Sequence, residues 1–419
     1  MNSYQVKHPG MAAIALTMLI ALVLLAGISI PAQAQTETLL HQFTGSPDGA
    51  NPGAGPALKG TTLYGTTWEG GGASGSGNTG YGIVYAVSTT TGKETILHTF
   101  TANTQQPYDG LEPLGGLAFD KEGNLYGTTV AGGGYDGEGY GTIYKIAKSG
   151  KQYVETVIYA FSGGLDGATP YYVTPVFDKA GNLYGTTVGG GTYGNGAVFK
   201  LAPGGTLTTL HSFYQAGGDG YNPYSGVALD TKGNVYGSAP GGGAYGYGVL
   251  YEITAAGQYS ILYNFTGGAD GGTPRNALVY KSGKLYGTAQ SGGAGCTWGC
   301  GVIFEYTLAK GKKAGYETVL HTFNGTDGLY PLYGALVFDK LGNIYGTTSD
   351  GGPTNQGNVY KLAPDGTLTT LYNFDGQPDG STPFGGVALD TKGNVYTTAA
   401  YGGNTGGEYG AGTVIKVTP

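Results

Sequence analysis

A seven-fold tandem repeat is the sequence feature that most constrains the fold of this chain. Each copy has a short apolar run that ends in phenylalanine and is followed by Asp-Gly-x-x-Pro. Successive marker phenylalanines lie 51 to 61 residues apart. They are Phe43, Phe100, Phe161, Phe213, Phe265, Phe323 and Phe374. A period near fifty residues is typical of the blades of a β-propeller.

Four apolar runs fit into each copy. Gly226–Asp230 illustrates the first, Leu183–Thr187 the second and Gly141–Lys145 the third, and the fourth ends at the marker phenylalanine. Turn-forming Asp, Asn and Gly separate the runs, as in Asp178–Asn182. With the four runs labelled A to D, the sequence predicts an all-β fold, a seven-bladed propeller of four-stranded blades.

The ends of the repeat array predict how the ring closes. The first copy begins with a D strand, Glu37–Phe43, and the last ends after a C strand, Gly412–Lys416. Pairing the two would complete the last blade and cover an open sheet edge. We therefore expect one propeller domain over residues 35–419, and a monomer.

The first 34 residues have the pattern of a signal peptide. Lys7 and His8 precede an apolar stretch at 11–30, and Ala32-Gln33-Ala34 supplies small residues for cleavage. This pattern predicts a secreted, extracellular or periplasmic protein with no membrane insertion after cleavage. A retained N-terminal anchor is the alternative, because the apolar stretch is long for a signal peptide.

Charge and cysteine content exclude several classes of partner and site. Beyond residue 34 the chain has 19 basic and 27 acidic residues, a net charge of −8, and Arg275 is its one arginine. Nucleic acids and anionic membranes need clustered basic residues, so neither is an expected partner. The two cysteines, Cys296 and Cys300, predict a disulfide in an exported chain and are too few for a four-ligand thiolate site.

One known family shares the repeat. The run Gly-Asn-Leu-Tyr-Gly-Thr-Thr at 123–129, followed by Gly-Thr-Ile-Tyr-Lys at 141–145, resembles the Gloeo/Verruco (GloVer) tandem repeat of "choice-of-anchor" proteins. The copy at 342–348 and 357–362 repeats the pattern. The resemblance covers nearly all of the chain after residue 34. It implies an exported bacterial surface or secreted protein of uncharacterised role, and it transfers no catalytic residue.

Alternating strand direction determines which loops lie together. The Asp-Gly-x-x-Pro loops join strand D to strand A, and the glycine-rich loops join strand B to strand C, so both emerge on one side of the ring, here called the loop face. The tight turns emerge on the opposite turn face. Because binding residues concentrate on loops held by a rigid scaffold, we expect the site on the loop face.

The repeated aspartates favour a structural role, each closing its own turn. A calcium ion bound by them is the alternative, and no other cofactor is expected. These residues are Asp48, Asp109, Asp166, Asp219, Asp270, Asp327 and Asp379.

The histidines also favour a structural role. Four of them lie two residues before a marker phenylalanine, where other copies have tyrosine, which indicates packing. They are His41, His98, His211 and His321. No histidine base, Ser-His-Asp arrangement or metal-ligand cluster is evident from spacing.

Residues that differ between copies are the candidates for an asymmetric site. On the loop face these are Trp68, Trp298, Arg275, Tyr135, Tyr140, Tyr245 and Tyr247, with Glu69 and Glu112 nearby. Aromatic faces with few charges suit neutral polar ligands such as glycans, although the rings could instead pack on glycine-rich loops. The sequence thus favours a noncatalytic module that binds a glycan or a cell-surface protein. A structural surface or matrix protein is one alternative. A polysaccharide lyase or glycosidase using Asp109 and Glu112 is another.

Overall fold

The computed structural model describes residues 36–72, 80–103, 106, 108–134, 138–294, 296, 299–403 and 410–418. Every regular element in these ranges is a β-strand, and seven antiparallel four-stranded sheets form the blades of a ring. The predicted seven-bladed propeller is therefore confirmed. No helix that could cross a membrane is found among the described residues.

The blades follow one another along the chain, each running from an inner strand at the axis to an outer strand. Blade one contains β2 (Ala57–Lys59), β3 (Thr62–Thr67), β4 (Ile83–Ser88) and β5 (Glu94–Thr99). Blade two contains β7 (Ala118–Phe119), β8 (Leu125–Thr129), β10 (Thr142–Ser149) and β11 (Gln152–Ala160). Blade three contains β12 (Val176–Phe177), β13 (Leu183–Thr187), β14 (Ala197–Leu201) and β15 (Leu207–Ser212). Blades four and five are β17 (Ala228–Leu229), β18 (Val235–Ala239), β20 (Val249–Ile253) and β21 (Tyr259–Asn264); and β22 (Val279–Lys281), β23 (Lys284–Ala289), β24 (Val302–Thr307) and β25 (Tyr316–Thr322). Blades six and seven are β26 (Val337–Phe338), β27 (Ile344–Thr348), β28 (Asn358–Leu362) and β29 (Leu368–Asn373); and β30 (Ala388–Leu389), β31 (Val395–Ala399), β32 (Thr413–Thr418) and β1 (Thr36–Gln42).

Two small sheets and the short inner strands complete the list of elements. Loop segments pair as β6 (Gly110–Leu111) with β9 (Ala131–Gly132), and β16 (Gly220–Tyr221) with β19 (Gly241–Gly242). The inner strands are only two or three residues long, shorter than predicted. The chain before them already lies against neighbouring blades at the axis, as Gly226 does against the backbone of Thr174.

The N-terminal strand closes the ring, as predicted. β1 pairs antiparallel with β32, from Thr36 opposite Thr418 to Gln42 opposite Thr413. The amide of Phe43 then donates to the carbonyl of Gly412 at 3.0 Å. Phe43 also packs in one cluster with residues of blades one and seven, so the closing strand contributes to the core as well as to the ladder.

The marker phenylalanines form the contacts between blades. All seven are at most 4% exposed. Phe43, for example, meets the ring of Tyr85 in the next blade edge to face at 5.1 Å, and Phe213 meets Tyr251 at 5.3 Å. Such pairs add about 0.5–1.5 kcal/mol to the free energy of burial. The repeated residues therefore form the contacts between blades as well as the blades themselves.

A glycine at the start of each C strand lets the loop of the next blade approach closely. The seven glycines have φ between 89° and 94°, a region that other residues rarely adopt. A Cβ atom on Gly82 would lie 2.8 Å from Cδ of Pro113, and one on Gly412 would lie 2.6 Å from Cδ of Pro52. The repeated proline therefore requires this repeated glycine.

The residue before each repeated proline connects two blades through its backbone. All seven have φ between 52° and 60°, although none is glycine. The amide of Glu112 donates to Tyr81 of the preceding blade at 3.0 Å, and its carbonyl accepts from Val130 of its own blade at 3.1 Å. This strained turn recurs in every copy, so it belongs to the architecture, and it fixes the direction in which the next two residues enter the axis.

Candidate functional site

Each repeated aspartate holds its own loop. Its carboxylate accepts a hydrogen bond from the backbone amide of the residue after the marker phenylalanine, as predicted for a structural role. The donors, in chain order, are Thr44, Thr101, Ser162, Tyr214, Thr266, Asn324 and Asp375. The seven carboxylates are therefore distributed one to a loop, and the loop backbone already uses part of their acceptor capacity.

In six of the seven copies the histidine or tyrosine two residues before the phenylalanine is a second hydrogen-bond partner of the aspartate, and His41 is the exception. The hydroxyl of Tyr263 donates to Asp270 at 3.0 Å, and Nε2 of His211 lies 2.9 Å from Asp219. The His211 ring also meets Phe213 edge to face at 4.9 Å. The packing predicted from the sequence is thus only half of the role, because His and Tyr share both an aromatic face and a polar edge group.

The two residues after the repeated proline line the axis, and here the copies differ. Blades one and two supply Gly53, Ala54, Leu114 and Gly115, whereas the later blades supply larger groups. These are Tyr171, Tyr172, Tyr224, Arg275, Tyr333 and Phe384, which together form what is called here the axial cluster. All six side chains are half-buried. Small residues therefore line the axis mainly on the side of blades one and two, and large, mostly aromatic side chains line it on the other side.

A stack of two tyrosines closes the axis. The rings of Tyr172 and Tyr333 lie 3.7 Å apart and nearly parallel, at 5°. They come from blades three and six, which are as far apart around the ring as two of seven blades can be. Phe384 meets both rings edge to face, at 6.4 and 6.1 Å. Contact between such distant blades locates the cluster on the axis.

Arg275 lies among these rings. Its Nη1 donates to the hydroxyl of Tyr333 at 3.2 Å, and its guanidinium carbon lies 5.0 Å from the centre of the Tyr224 ring. Its Nε is buried and has no hydrogen-bond partner within the described residues. A buried donor without a partner costs about 1–3 kcal/mol, so an acceptor from outside the chain would stabilise it.

Two carboxylates lie beside the cluster. Burial raises the pKa of Glu112, and the nearby carboxylate of Glu69 raises it further. Burial also raises the pKa of Glu69. Burial raises the pKa of the Tyr171 hydroxyl, and Tyr333, Tyr224 and Glu112 add to this effect. The mouth of the axis therefore combines aromatic faces, a guanidinium and two partly desolvated acids.

A cavity of about 190 Å³ adjoins the tyrosine stack. Besides Tyr172 and Tyr333, glycine and alanine residues line it, together with Val337 of β26 and with Leu117 and Val387, which directly precede the inner strands β7 and β30. Because the inner strands run from the loop face toward the turn face, this space lies on the turn-face side of the stack. It offers few polar groups, so the loop-face mouth is the better candidate for binding.

Of the predicted site residues that the structure describes, only Arg275 lies in the axial cluster. Tyr140 and Tyr247 are 52% and 47% exposed, and their rings lie against Gly163 and Gly267. This is the packing on glycine-rich loops that the sequence left open.

The other candidates divide into two groups. Tyr245 is 61% exposed, and Trp68 is half-buried in the loop after β3, where its amide donates to Asn51. Trp298 and Tyr135 lie outside the described residues.

The five aromatic members of the axial cluster were missed from the sequence. The signal that would have found them is positional: they occupy the two places directly after the repeated proline, where the copies are least alike. Their partners come from other blades, between 50 and 220 residues away along the chain, as the Tyr172–Tyr333 and Tyr171–Tyr224 contacts illustrate.

Among the described residues, two groups of side chains that could bind a metal ion lie at blade interfaces, away from the axis. One is His41, Asp48 and Glu94, and the other is His98, Asp109 and Glu155. The spacing in the sequence indicated neither group. Each glutamate comes from the outer strand of the next blade, so spacing within one copy could not reveal it.

Cys296 and Cys300 form a disulfide, as predicted. Cys300 is fully buried and belongs to the core cluster that contains Phe323, with Cys296 packed against it. The disulfide therefore closes a short segment within the glycine-rich loop of blade five, and both cysteines pack at the interface between blades five and six.

Comparison with solved structures supports the fold. A streptogramin B lyase superposes with a TM-score of 0.55 at 13% identity, covering 92% of this chain and 97% of the lyase. The virginiamycin B lyase of Staphylococcus aureus gives 0.54 at 11% identity, covering 92% of this chain and 99% of that enzyme. A GH74 enzyme of Niastella koreensis gives 0.55 at 18% identity, covering 87% of this chain and 53% of the enzyme. At these identities the likeness is one of fold alone.

Comparison at the level of sequence identifies the family. No curated protein matches the chain. A model of the Gloeobacter/Verrucomicrobia repeat matches residues 71–298 and 294–419, nearly the whole described propeller. The chain therefore belongs to the Gloeobacter/Verrucomicrobia repeat family.

Proposed function

We propose that this protein binds a neutral glycan chain at the loop-face mouth of the axis. The observation that carries the proposal is the axial cluster, a set of half-buried aromatic rings around an arginine whose Nε has no partner within the described residues. Pockets that bind small molecules combine apolar and aromatic walls with a few well-placed polar groups. The apolar faces of sugar rings can stack on Tyr224 and Phe384, while hydroxyl groups accept from Arg275 and donate to Glu112.

Charge supports this class of ligand over others. The net charge of −8 beyond residue 34 opposes phosphate-rich polymers, and the carboxylates of Glu69 and Glu112 lie beside the axial cluster that contains Arg275. The disulfide and the absence of a membrane-spanning helix among the described residues are compatible with an extracellular or periplasmic location. We propose that the protein is exported and meets its ligand there.

A glycan array probed with the purified protein tests the proposal, followed by calorimetric titration of any hit. Tyr224→Ala and Arg275→Ala should each weaken binding by about 1–3 kcal/mol, the scale of a large side chain leaving a contact. Tyr316→Ala is the control, because Tyr316 is 59% exposed at the start of an outer strand on the turn face. Binding that survives both axial substitutions, or no binding to any glycan, would refute the proposal.

Cleavage of the bound chain is a second candidate function, and the carboxylate pair Glu69 and Glu112 favours it. Raised pKa values are what a general acid needs near neutral pH, and glycosidases use two carboxyl groups. Incubating any array hit with the protein and analysing product sizes separates the two functions. Turnover abolished by Glu112→Gln would establish catalysis, and an intact polymer would leave binding alone.

A further inference from the structure

The blade interfaces near the loop face share one three-residue arrangement, here called the interface triad. It consists of the residue two before the marker phenylalanine, the repeated aspartate, and a residue of the next outer strand that lies six before the next phenylalanine. The third position is occupied by Glu94, Glu155, Leu207, Tyr259, Glu317, Leu368 and Glu37 in successive interfaces. Two triads combine histidine, aspartate and glutamate: His41–Asp48–Glu94 and His98–Asp109–Glu155.

The ligand atoms of these two triads converge. In each triad the imidazole nitrogen and two carboxylate oxygens all lie within 4.8 Å of one another. In the first, His41 Nε2 lies 3.5 Å from Asp48 Oδ2 and 3.8 Å from Glu94 Oε2. Neither pair in the first triad forms a hydrogen bond, whereas in the second triad His98 Nε2 lies 3.1 Å from Asp109 Oδ2, within hydrogen-bonding distance. The two separations in the first triad are close to the edge of a tetrahedron whose centre is about 2.0–2.2 Å from each corner, which is about 3.3–3.6 Å.

Among the described residues, these two triads have three buried atoms without a hydrogen-bond partner: His41 Nε2, Glu94 Oε1 and Glu155 Oε1. The interfaces that combine tyrosine with glutamate have three more, Glu37 Oε1, Glu317 Oε1 and Asp379 Oδ1, so an unpartnered carboxylate oxygen is not particular to the histidine triads. The side chains of His41, Asp48 and Glu94 are only 16%, 16% and 11% exposed. Buried polar atoms normally have partners, and each that does not costs free energy. The first triad places an unpartnered imidazole nitrogen, His41 Nε2, beside the unpartnered Glu94 Oε1, and there the two atoms point to a missing ligand that carries positive charge.

The interface with tyrosine at the third position shows what satisfies such a triad. There the Tyr259 hydroxyl donates to Asp219, and its ring stacks on His211 at 3.6 Å. His211 Nε2 lies 2.9 Å from the other carboxylate oxygen. A hydroxyl group thus occupies the place that the glutamate carboxylate has in the first two interfaces. Glutamate cannot donate in this way when ionised, so a cation is the group that would replace it.

We propose that His41–Asp48–Glu94 and His98–Asp109–Glu155 each bind one divalent transition-metal ion of the zinc class. One imidazole nitrogen and two carboxylate oxygens are donors that Zn²⁺ accepts, whereas Ca²⁺ prefers a shell made entirely of oxygen. Three protein ligands leave a fourth position for water or for a group of a partner.

The position of the first site gives it a structural consequence. His41 lies in β1, the strand that closes the ring, whereas Glu94 lies in β5 of blade one. An ion there would join the closing strand to the following blade, and the second site would join blades one and two. Metal binding would then stabilise the ring where β1 closes it, because a ligand that binds only the folded state raises stability.

Calorimetric titration of the EDTA-treated, dialysed protein with ZnCl₂ tests the proposal. The expected result is two ions per chain, one for each triad, with a higher melting temperature. The double variant Glu94→Gln with Glu155→Gln should weaken both sites by at least about tenfold, the size of effect seen even for outer-shell changes. Glu317→Gln is the matched control, because that interface has Tyr263 in place of histidine. It should still bind two ions.

Three results would overturn the proposal: no zinc binding, zinc binding that is unchanged in the double variant, or equal loss in the Glu317→Gln control. Saturable binding of CaCl₂ in place of ZnCl₂ would overturn the assigned class of ion. If the double variant does not fold, Co²⁺ added to the unmutated protein decides the question. Tetrahedral nitrogen and oxygen ligation should give visible absorption bands that ZnCl₂ removes, and their absence would count against the sites.

Discussion

The mouth of the axis and the blade interfaces are built by the same Asp-Gly-x-x-Pro loop. The interface residues of this loop recur from copy to copy, whereas its residues at the mouth differ. At the interfaces the phenylalanine and aspartate recur in all seven copies and form the same contacts. At the mouth, five and six residues after the aspartate, the copies range from Gly53 to Arg275 and Phe384. The repeated residues stabilise the ring, and the varied residues give it an asymmetric surface.

Among the changes at the blade interfaces, opening the ring should lower the stability of the protein most. Deleting residues 36–43 removes the six paired positions of β1 and the fully buried Phe43. The loss of the Phe43 side chain alone corresponds to about 3–5 kcal/mol. We expect a sharp fall in the melting temperature, and self-association through the exposed edge of β32. Calorimetry and light scattering measure both, with deletion of residues 1–35 alone as the control. An unchanged melting temperature and a monomeric state would contradict closure.

Removing one repeated aspartate should have a smaller but clear effect on stability. Asp219→Ala deletes the acceptor for the Tyr214 and Gly220 amides, His211 and Tyr259. Leaving such donors without a partner should cost about 2–4 kcal/mol in the free energy of unfolding. Tyr224→Ala at the mouth removes mainly aromatic contacts and should cost about 1 kcal/mol. Chemical denaturation of both variants makes the comparison, and a larger loss for Tyr224→Ala would reverse the assigned roles.

The pH dependence of stability should reveal the buried carboxylates at the interfaces. Burial and the nearby carboxylate of Asp270 raise the pKa of Glu317 to about 7. A folded-state pKa above the unfolded value favours the protonated form, so this contribution to stability is full below about pH 4.5 and is lost as the pH rises through about 7. The melting temperature of the wild type relative to that of Glu317→Gln should therefore fall as the pH rises from about 5 to about 8. Measurements in EDTA exclude metal effects, and parallel profiles would show that Glu317 does not titrate in this range.

The smallest effect on stability is expected at the exposed aromatic residues outside both regions. Tyr245 is 61% exposed, so Tyr245→Ala should change the free energy of unfolding by no more than about 0.5 kcal/mol. If the mouth alone binds, its affinity for the glycan found on the array should also stay the same. A weakened affinity would extend the site across the loop face, as the sequence first indicated.

The sequence was sufficient to predict the fold because the residues that form the strands, turns and blade contacts recur in all seven copies. The phenylalanine spacing predicted the blades, and the extra strand at 37–43 predicted closure. The candidate site was predicted only through Arg275, Glu69 and Glu112, because a residue that differs from its counterparts in the other copies marks a varied position but does not reveal its neighbours. Tyr172 and Tyr333 meet only when the ring closes, and the exposed Tyr140 packs on Gly163 in place of entering the axis. The His-Asp-Glu triads were missed for the same reason, since each is divided between two copies.

The turn before each repeated proline has a consequence for how such a protein can change. Its positive φ and its bonds to two blades determine the direction of the following two residues, whatever their side chains are. The first residue after each proline thus forms a ring of seven positions that lie outside the strands. The second position is more constrained, because a Cβ atom on Gly115 or Gly385 would lie 2.2 or 1.9 Å from neighbouring backbone atoms. A library that randomises only the first positions would therefore vary the mouth while leaving the ring unchanged, much as antibody loops vary on a constant sandwich. In this fold, changes of specificity can therefore accumulate without passing through an unstable ring.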